Sequence, residues 1–234
     1  VTGMVEFQAS IRVVQTRTRN CVTMVGGTNP DMMPVRNWVV RYGRFITEED
    51  MKKRAAVAVL CDTVWEKLFP DRSNPIGQRI RVDSVQLTVV GVLEPKGRSP
   101  IGGDQDDQVF VPLSTLQKKI VNHESLTLIM TSVPNIDNLD KIKDEMIKLL
   151  RDKRNVKEGQ EDFDVSTVQE MASIAIIMSS TMHVLAIIIA SIVIDFFRAR
   201  ALRRVAEVTS SEALAADALN FTTDMWSSFA VLIG

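Results

Sequence analysis

Residues 55–69 read AAVAVLCDTVWEKLF, and the change of pattern inside this stretch sets the fold class. AAVAVL is an uncharged, apolar run too short for an ordinary core helix, which predicts a buried strand. Immediately after it, Val64, Leu68 and Phe69 recur at helical spacing, with Asp62 placed as an N-cap. A buried strand feeding directly into an amphipathic helix requires a mixed architecture.

The flanking segments extend the same alternation. SIRVVQTR (residues 10–17) and CVTMV (21–25) read as consecutive strands, with Gly26-Gly27 and Asn29-Pro30-Asp31 as the turn that ends them. Residues 78–95, QRIRVDSVQLTVVGVLEP, alternate apolar and polar on either side of Asp83-Ser84, as a β-hairpin with one buried face does. Gly91, inside its second strand, marks a bulge or a close backbone approach. QVFVP (108–112) and SLTLIMT (125–131) are further strands. Residues 138–154 form a helix with Leu139, Ile142, Met146, Leu149 and Leu150 on one stripe. The expected fold class is α+β over residues 1–170.

Composition narrows the function classes. The 28 basic and 29 acidic residues give a net charge of -1, which excludes the basic excess of a nucleic-acid-binding domain. There is no phosphate-binding glycine loop, nucleophile elbow or H-E-x-x-H pair. The two histidines, His123 in a loop and His183 in an apolar run, cannot build a histidine metal cluster. Asp104, Asp106 and Asp107 lack the spacing and terminal Glu of an EF-hand and read as a solvated turn. Cys21 and Cys61 fit no metal motif, and a disulfide or two buried thiols are both compatible with their positions.

The C-terminal part has a different character. Residues 171–194, MASIAIIMSSTMHVLAIIIASIVI, carry no Lys, Arg, Asp or Glu and exceed the roughly 20 residues that span hydrocarbon as a helix. Arg198, Arg200, Arg203 and Arg204 follow. By the positive-inside rule this basic segment is cytoplasmic, which puts residues 1–170 outside. The reading is therefore an extracytoplasmic domain (1–170), a transmembrane helix (171–197), a basic cytoplasmic loop (198–210) and a second, truncated transmembrane helix (211–234).

An ordered set of short motifs carries a family resemblance over about residues 1–170: VGGTNPDMMPVRNW, YGRFITEED, VAVLCDTVWEKLFPDRSNPIGQRIRV, LTVVGVLEPKG, GGDQDDQVFVPLSTLQ and FDVSTVQEM. Together they resemble the MacB-type periplasmic core domain of ABC-transporter permeases. Cys61 and Pro70 stand where the family commonly has glycine, which affects local turns. The resemblance implies a non-enzymatic, cofactor-free module in the inner membrane, with its core domain in the periplasm. It also implies an ABC ATPase and further permease helices as partners, a periplasmic adaptor, and homo-oligomeric assembly.

Residues 183–234 resemble instead the fourth and fifth transmembrane helices of cation diffusion facilitators, exporters of divalent metal ions by proton antiport. That family takes two ligands four residues apart, usually His and Asp, from a motif such as ADALHFTTD, which here reads ADALNFTTD at residues 216–224. Asp217, Asn220 and Asp224 share one helix face, with Thr209-x-x-Glu212 as a capping box. The resemblance implies half of a site for manganese or zinc, with Asn220 in the usual histidine position and oxygen ligands favouring the harder ion. A chain that starts at Val1 and stops within an apolar helix reads as a fragment or a fusion of two membrane-protein pieces.

Overall fold

The computed structural model describes residues 3–99, 103–133, 135–209, 216, 217, 219–223 and 226. The chain divides into two units, Val1–Val165 and Ser166–Gly234. The first is the α+β domain expected from the sequence, and its strands are longer at the start than the pattern suggested. β1 (Met4–Gln15) and β2 (Asn20–Thr28) form an antiparallel hairpin registered from Phe7↔Thr28 to Gln15↔Asn20. Val5, Phe7 and Val14 point inward, while Met4 and Ile11 face out.

Next come α1 (Met32–Arg36), β3 (Val40–Gly43), α2 (Glu48–Lys53), β4 (Val57–Leu60) and α3 (Asp62–Leu68). β5 (Arg79–Val82) and β6 (Val85–Leu93) are the expected hairpin around Asp83-Ser84, with Asp83 at φ 50° in its turn. β7 (Gln108–Pro112) is buried at all five positions. α4 (Leu113–Thr115) runs into a π-helical turn at Leu116–Ile120, and β8 (Leu128–Thr131) and α5 (Leu139–Arg154) complete the unit.

The hydrogen-bonded order closes into a circuit, β1-β2-β7-β4-β6-β5 and back to β1. β2 pairs parallel with β7, and β4 pairs parallel with β6. β8 extends β1 at its other end, pairing Met4↔Thr131, and β3 pairs β6. Successive residues of the central strands feed two cores. Leu60, Val109 and Val111 join Val64, Trp65 and Leu68 of α3; Val59, Cys61 and Phe110 join Phe7, Met32, Trp38, Phe45 and Ile46. Phe110 receives Trp38 and Phe45 edge-on, each at 6.0 Å.

Two close approaches decide how the strands fit. Gly26 and Gly27 lie inside β2, where the sequence pattern placed a turn. A Cβ at Gly26 would meet Phe7 at 2.5 Å, and one at Gly27 would meet Leu116 at 2.7 Å. Gly91 sits at a register shift between β4 and β6, where a Cβ would lie 2.1 Å from the Arg44 carbonyl oxygen. The expected bulge or close approach is both.

The YGRFITEED motif is built around that crossing. Thr47 caps α2, accepting the Asp50 N–H at 3.3 Å, while its own N–H and hydroxyl donate to Asp50 at 2.9 Å each. Arg44 donates to both Asp50 oxygens, at 2.5 and 3.1 Å. Burial pushes the Asp50 carboxyl up, but Arg44 and the Thr47 donors outweigh it and hold the group below the usual aspartate value.

Other local expectations change. The N-cap of α3 is Cys61 with no side-chain cap bond, and Asp62 is the first helical residue, turned to Arg41 and Arg72. Both cysteines are free thiols, Cys61 fully buried and Cys21 partly. In α5 no residue is fully buried, and Leu149, expected on the apolar stripe, is 58% exposed; Ile147 takes its place among the half-buried positions.

In the second unit, α6 (Val168–Thr209) contains a candidate membrane span, Val168–Val205. The helix passes through Arg198, Arg200, Arg203 and Arg204, so the segment expected as a basic loop is helical as far as Thr209. Uninterrupted backbone hydrogen bonding is the reason, and arginine is a good helix former. Thr209 therefore lies in α6; Glu212, its expected capping-box partner, lies outside the described residues.

Gly91→Ala is expected to destabilise the detergent-solubilised chain by more than about 2 kcal/mol, because the obstruction is backbone. Gly77→Ala, at φ 82° with nothing within 4 Å, should cost only about 1 kcal/mol for the left-handed backbone. Urea midpoints of the two variants give the comparison.

The lowered Asp50 carboxyl contributes stability that is complete above the ordinary aspartate value and lost as pH falls through the lowered one. Thermal melts at pH 7 and pH 3 should therefore show the gap between wild type and Asp50→Asn narrowing in acid.

Candidate functional site

The acidic loop between β6 and β7 is where the sequence offers its densest set of charged ligands. Each carboxylate is engaged by the protein. Asp106, 5% exposed, accepts the Lys96 N–H at 2.8 Å and the Gly97 N–H at 2.7 Å. Asp104 accepts the Thr63 hydroxyl at 2.9 Å and the Asp106 N–H at 2.9 Å. Asp107 takes Lys67 at 2.8 Å and the Thr23 hydroxyl at 3.0 Å. The three acids tie β2, α3 and the 96–97 turn together. The solvated turn expected here is instead a set of staples, because each short side chain reaches donors on β2, on α3 or in the neighbouring turns.

The same loop sets the electrostatics around α3. The Thr63 N–H donates to the Asp106 carbonyl at 3.2 Å, anchoring the first turn. Burial, and then the surrounding Asp106, Asp104, Asp107 and Asp62, push the Cys61 thiol well up. Burial also raises Cys21, against the opposing charge of Lys67. Neither is poised as a thiolate nucleophile. Lys96 is pushed down, first by burial and then by Arg36, and its ammonium lies 4.9 Å over the Trp38 ring.

On the other side of α3, Arg41 lies 5.5 Å over both Tyr42 and Trp65, and Arg72 lies 5.1 Å over Trp65. Both arginines bond Asp62, and Arg72 also bonds Glu66 at 2.9 Å. Trp65 Nε1–H donates to the Ser73 carbonyl at 3.1 Å, fixing the chain after α3. Sequence reading missed this cluster because Arg41 and Tyr42 of β3 are distant in sequence from Asp62, Trp65, Glu66 and Arg72 and meet them only in the folded domain. The arrangement can clamp loops and present charge; it contains no nucleophile–base pair.

Of the residues expected to hold a metal, Asp217 and Asn220 are helical and exposed, and Asp224 lies outside the described residues. Arg203 donates to Thr222 at 3.0 Å and Arg198 lies 5.0 Å over Phe221, so the basic end of α6 contacts this segment. Among the described residues no group of three or more His, Cys, Asp or Glu side chains is placed to hold a metal ion.

The model of the MacB-like periplasmic core domain matches residues 1–149. The chain belongs to that family. A macrolide export ATP-binding/permease protein MacB of Marinobacter nauticus is 40% identical over 157 residues, which is 67% of this chain and 23% of the relative. The chain thus spans about a quarter of the length of such relatives. The MacB-like domain also matches solved structures in fold. The extracellular domain of the noncanonic ABC-type transporter YknZ from Gram-positive bacteria gives a TM-score of 0.60 at 19% identity, over 70% of this chain and 82% of that one. The periplasmic region of MacB from Actinobacillus actinomycetemcomitans gives 0.57 at 18% identity, over 78% and 76%.

Residues 1–149 are accordingly a periplasmic core domain of the MacB-like inner-membrane permease type, followed, among the described residues, by one candidate membrane helix. The resemblance of residues 183–234 to cation diffusion facilitators finds no support in these matches.

Asp106→Ala leaves the Lys96 and Gly97 N–H groups without their charged acceptor and is expected to cost about 2–3 kcal/mol. Added calcium should leave the wild-type melting temperature unchanged, since the carboxylates are already satisfied internally. Differential scanning fluorimetry of the solubilised chain reads both.

Proposed function

We propose that the chain is the membrane-anchored periplasmic module of a MacB-like ABC export permease. In this reading it is non-catalytic. It passes the conformational change driven by an ATPase partner to exported substrate or to a periplasmic adaptor, as part of a homo-oligomeric transporter. The observation that carries the proposal is the family match over residues 1–149 followed by the apolar helix Val168–Val205. The relatives' names, macrolide export and pyoverdine export, point to efflux of a bulky organic molecule.

The physical character of the domain suits such a role. A closed hydrogen-bonded circuit with two packed cores moves as one body, and its loops are stapled by part-buried ion pairs and backbone-directed carboxylates. A rigid body transmits a displacement from its membrane attachment without absorbing it in local bending. Metal binding at Asp217, Asn220 and Asp224 forms no part of this proposal.

The test is a chimera in which residues 1–165 replace the corresponding segment of the Marinobacter nauticus MacB relative. Macrolide export above that of a permease lacking the segment is the expected result. A chimera that inserts, folds and hydrolyses ATP at the parental basal rate, yet exports nothing, would count against the proposal.

A further inference from the structure

The tip of the β1–β2 hairpin forms one wall of a groove of about 750 Å³. Thr16 to Arg19 make the turn, closed by the Thr16 N–H on the Arg19 carbonyl at 2.8 Å and the Arg19 N–H on the Thr16 hydroxyl at 3.0 Å. Phe69, Pro70 and Asp71, just past α3, and Gly77 to Arg79 also line the groove. These segments are held in place: Trp65 bonds the Ser73 carbonyl, the Gly77 N–H bonds Val89 at 2.8 Å, and the Gln78 N–H bonds Pro75 at 3.0 Å.

The charge in this groove is one-sided. Arg17, Arg19 and Arg79 are all exposed and line it, and none has an acceptor for its guanidinium among the described residues. Most other arginines of β1 to β6 do have one: Arg12 on Asp83, Arg41 and Arg72 on Asp62, Arg44 on Asp50, Arg81 on Gln15. The single acid in the lining, Asp71, accepts from the Ser73 hydroxyl. Two guanidiniums on the hydrogen-bonded β1–β2 turn and one at the first residue of β5 thus have their donors unspent, an arrangement that suits paired carboxylates.

We propose that this groove docks an acidic segment of a partner protein, an exposed run containing several Asp or Glu side chains. The groove is open to solvent and lined by exposed residues, whereas a small-molecule site encloses most of its ligand. Phe69 and Pro70 add an apolar strip beside the arginines, and Thr18 and Gln78 add neutral hydrogen-bonding groups, a mixture typical of a protein interface rim. Charge complementarity of this kind raises the association rate and selects the partner's orientation.

The test measures anisotropy of a fluorescent ten-residue peptide carrying six glutamates, titrated with the detergent-solubilised full chain at low salt. Arg17→Glu/Arg19→Glu/Arg79→Glu should weaken binding at least about tenfold, whereas Arg54→Glu, a reversal outside the groove, should leave it within twofold. The neutral triple variant with Gln at the same positions should fall between them, with melting temperatures of all variants matching wild type. Rising salt should weaken wild-type binding and narrow the gap between variants. Equal binding by wild type and the triple variants would overturn the proposal, as would absence of peptide binding. So would stronger, arginine-dependent binding of phosphatidylglycerol vesicles or inorganic phosphate, which would assign the groove to a phosphate group.

Discussion

The domain depends on the space over Gly26 and Gly27. β2 has to pair with β1 on one edge and with β7 on the other, and the rings of Phe7 and Phe110 and the side chain of Leu116 pack where side chains at these two positions would stand. Only backbone hydrogen is thin enough there. With that contact made, the β1–β2 hairpin joins the β7-β4-β6-β5 strands, and the circuit closes where Val14 and Gln15 of β1 meet Val82 and Arg81 of β5.

A second set of contacts turns the closed circuit into a rigid one. Asn29 and Asp31 hold the backbone of Met4, donating to its carbonyl at 2.8 Å and accepting its N–H at 3.1 Å. Asp50 collects Arg44 and Thr47, and Asp106 collects the 96–97 turn. In each case a short carboxylate or amide satisfies backbone groups that lie outside the sheet ladder, so loops between elements cost little in unpaired polar groups. Under the proposed function this arrangement would keep displacement at one end from being dissipated in the connections.

Much of the architecture was legible in the sequence because local patterns and the fold agree. The β5–β6 hairpin, the AAVAVL strand feeding α3, and the apolar length of α6 each follow from periodicity over a single segment. The misreadings also have a common cause. Gly26-Gly27 looks like a turn because glycine is the usual turn residue, but here the absence of a side chain serves packing against Phe7, Phe110 and Leu116, which are distant in sequence. Asp62 looks like an N-cap, yet Arg41 and Arg72 compete for its carboxylate. The candidate site was least legible: Arg17, Arg19 and Arg79 are unremarkable along the chain and share a groove only because β5 pairs with the end of β1.

By itself, then, the sequence determined the α+β class, the order of most elements, the apolar span, and, through its ordered motifs, membership of the MacB-like family. Those features are written in short-range spacing and in residue order, which need no third dimension. Tertiary structure alone decided that the sheet closes on itself, that the Asp104–Asp107 loop is a staple, and that three arginines without an acceptor among the described residues line one groove. Each of these depends on which distant backbones hydrogen-bond to one another, and strand pairing between remote segments leaves little trace in local pattern.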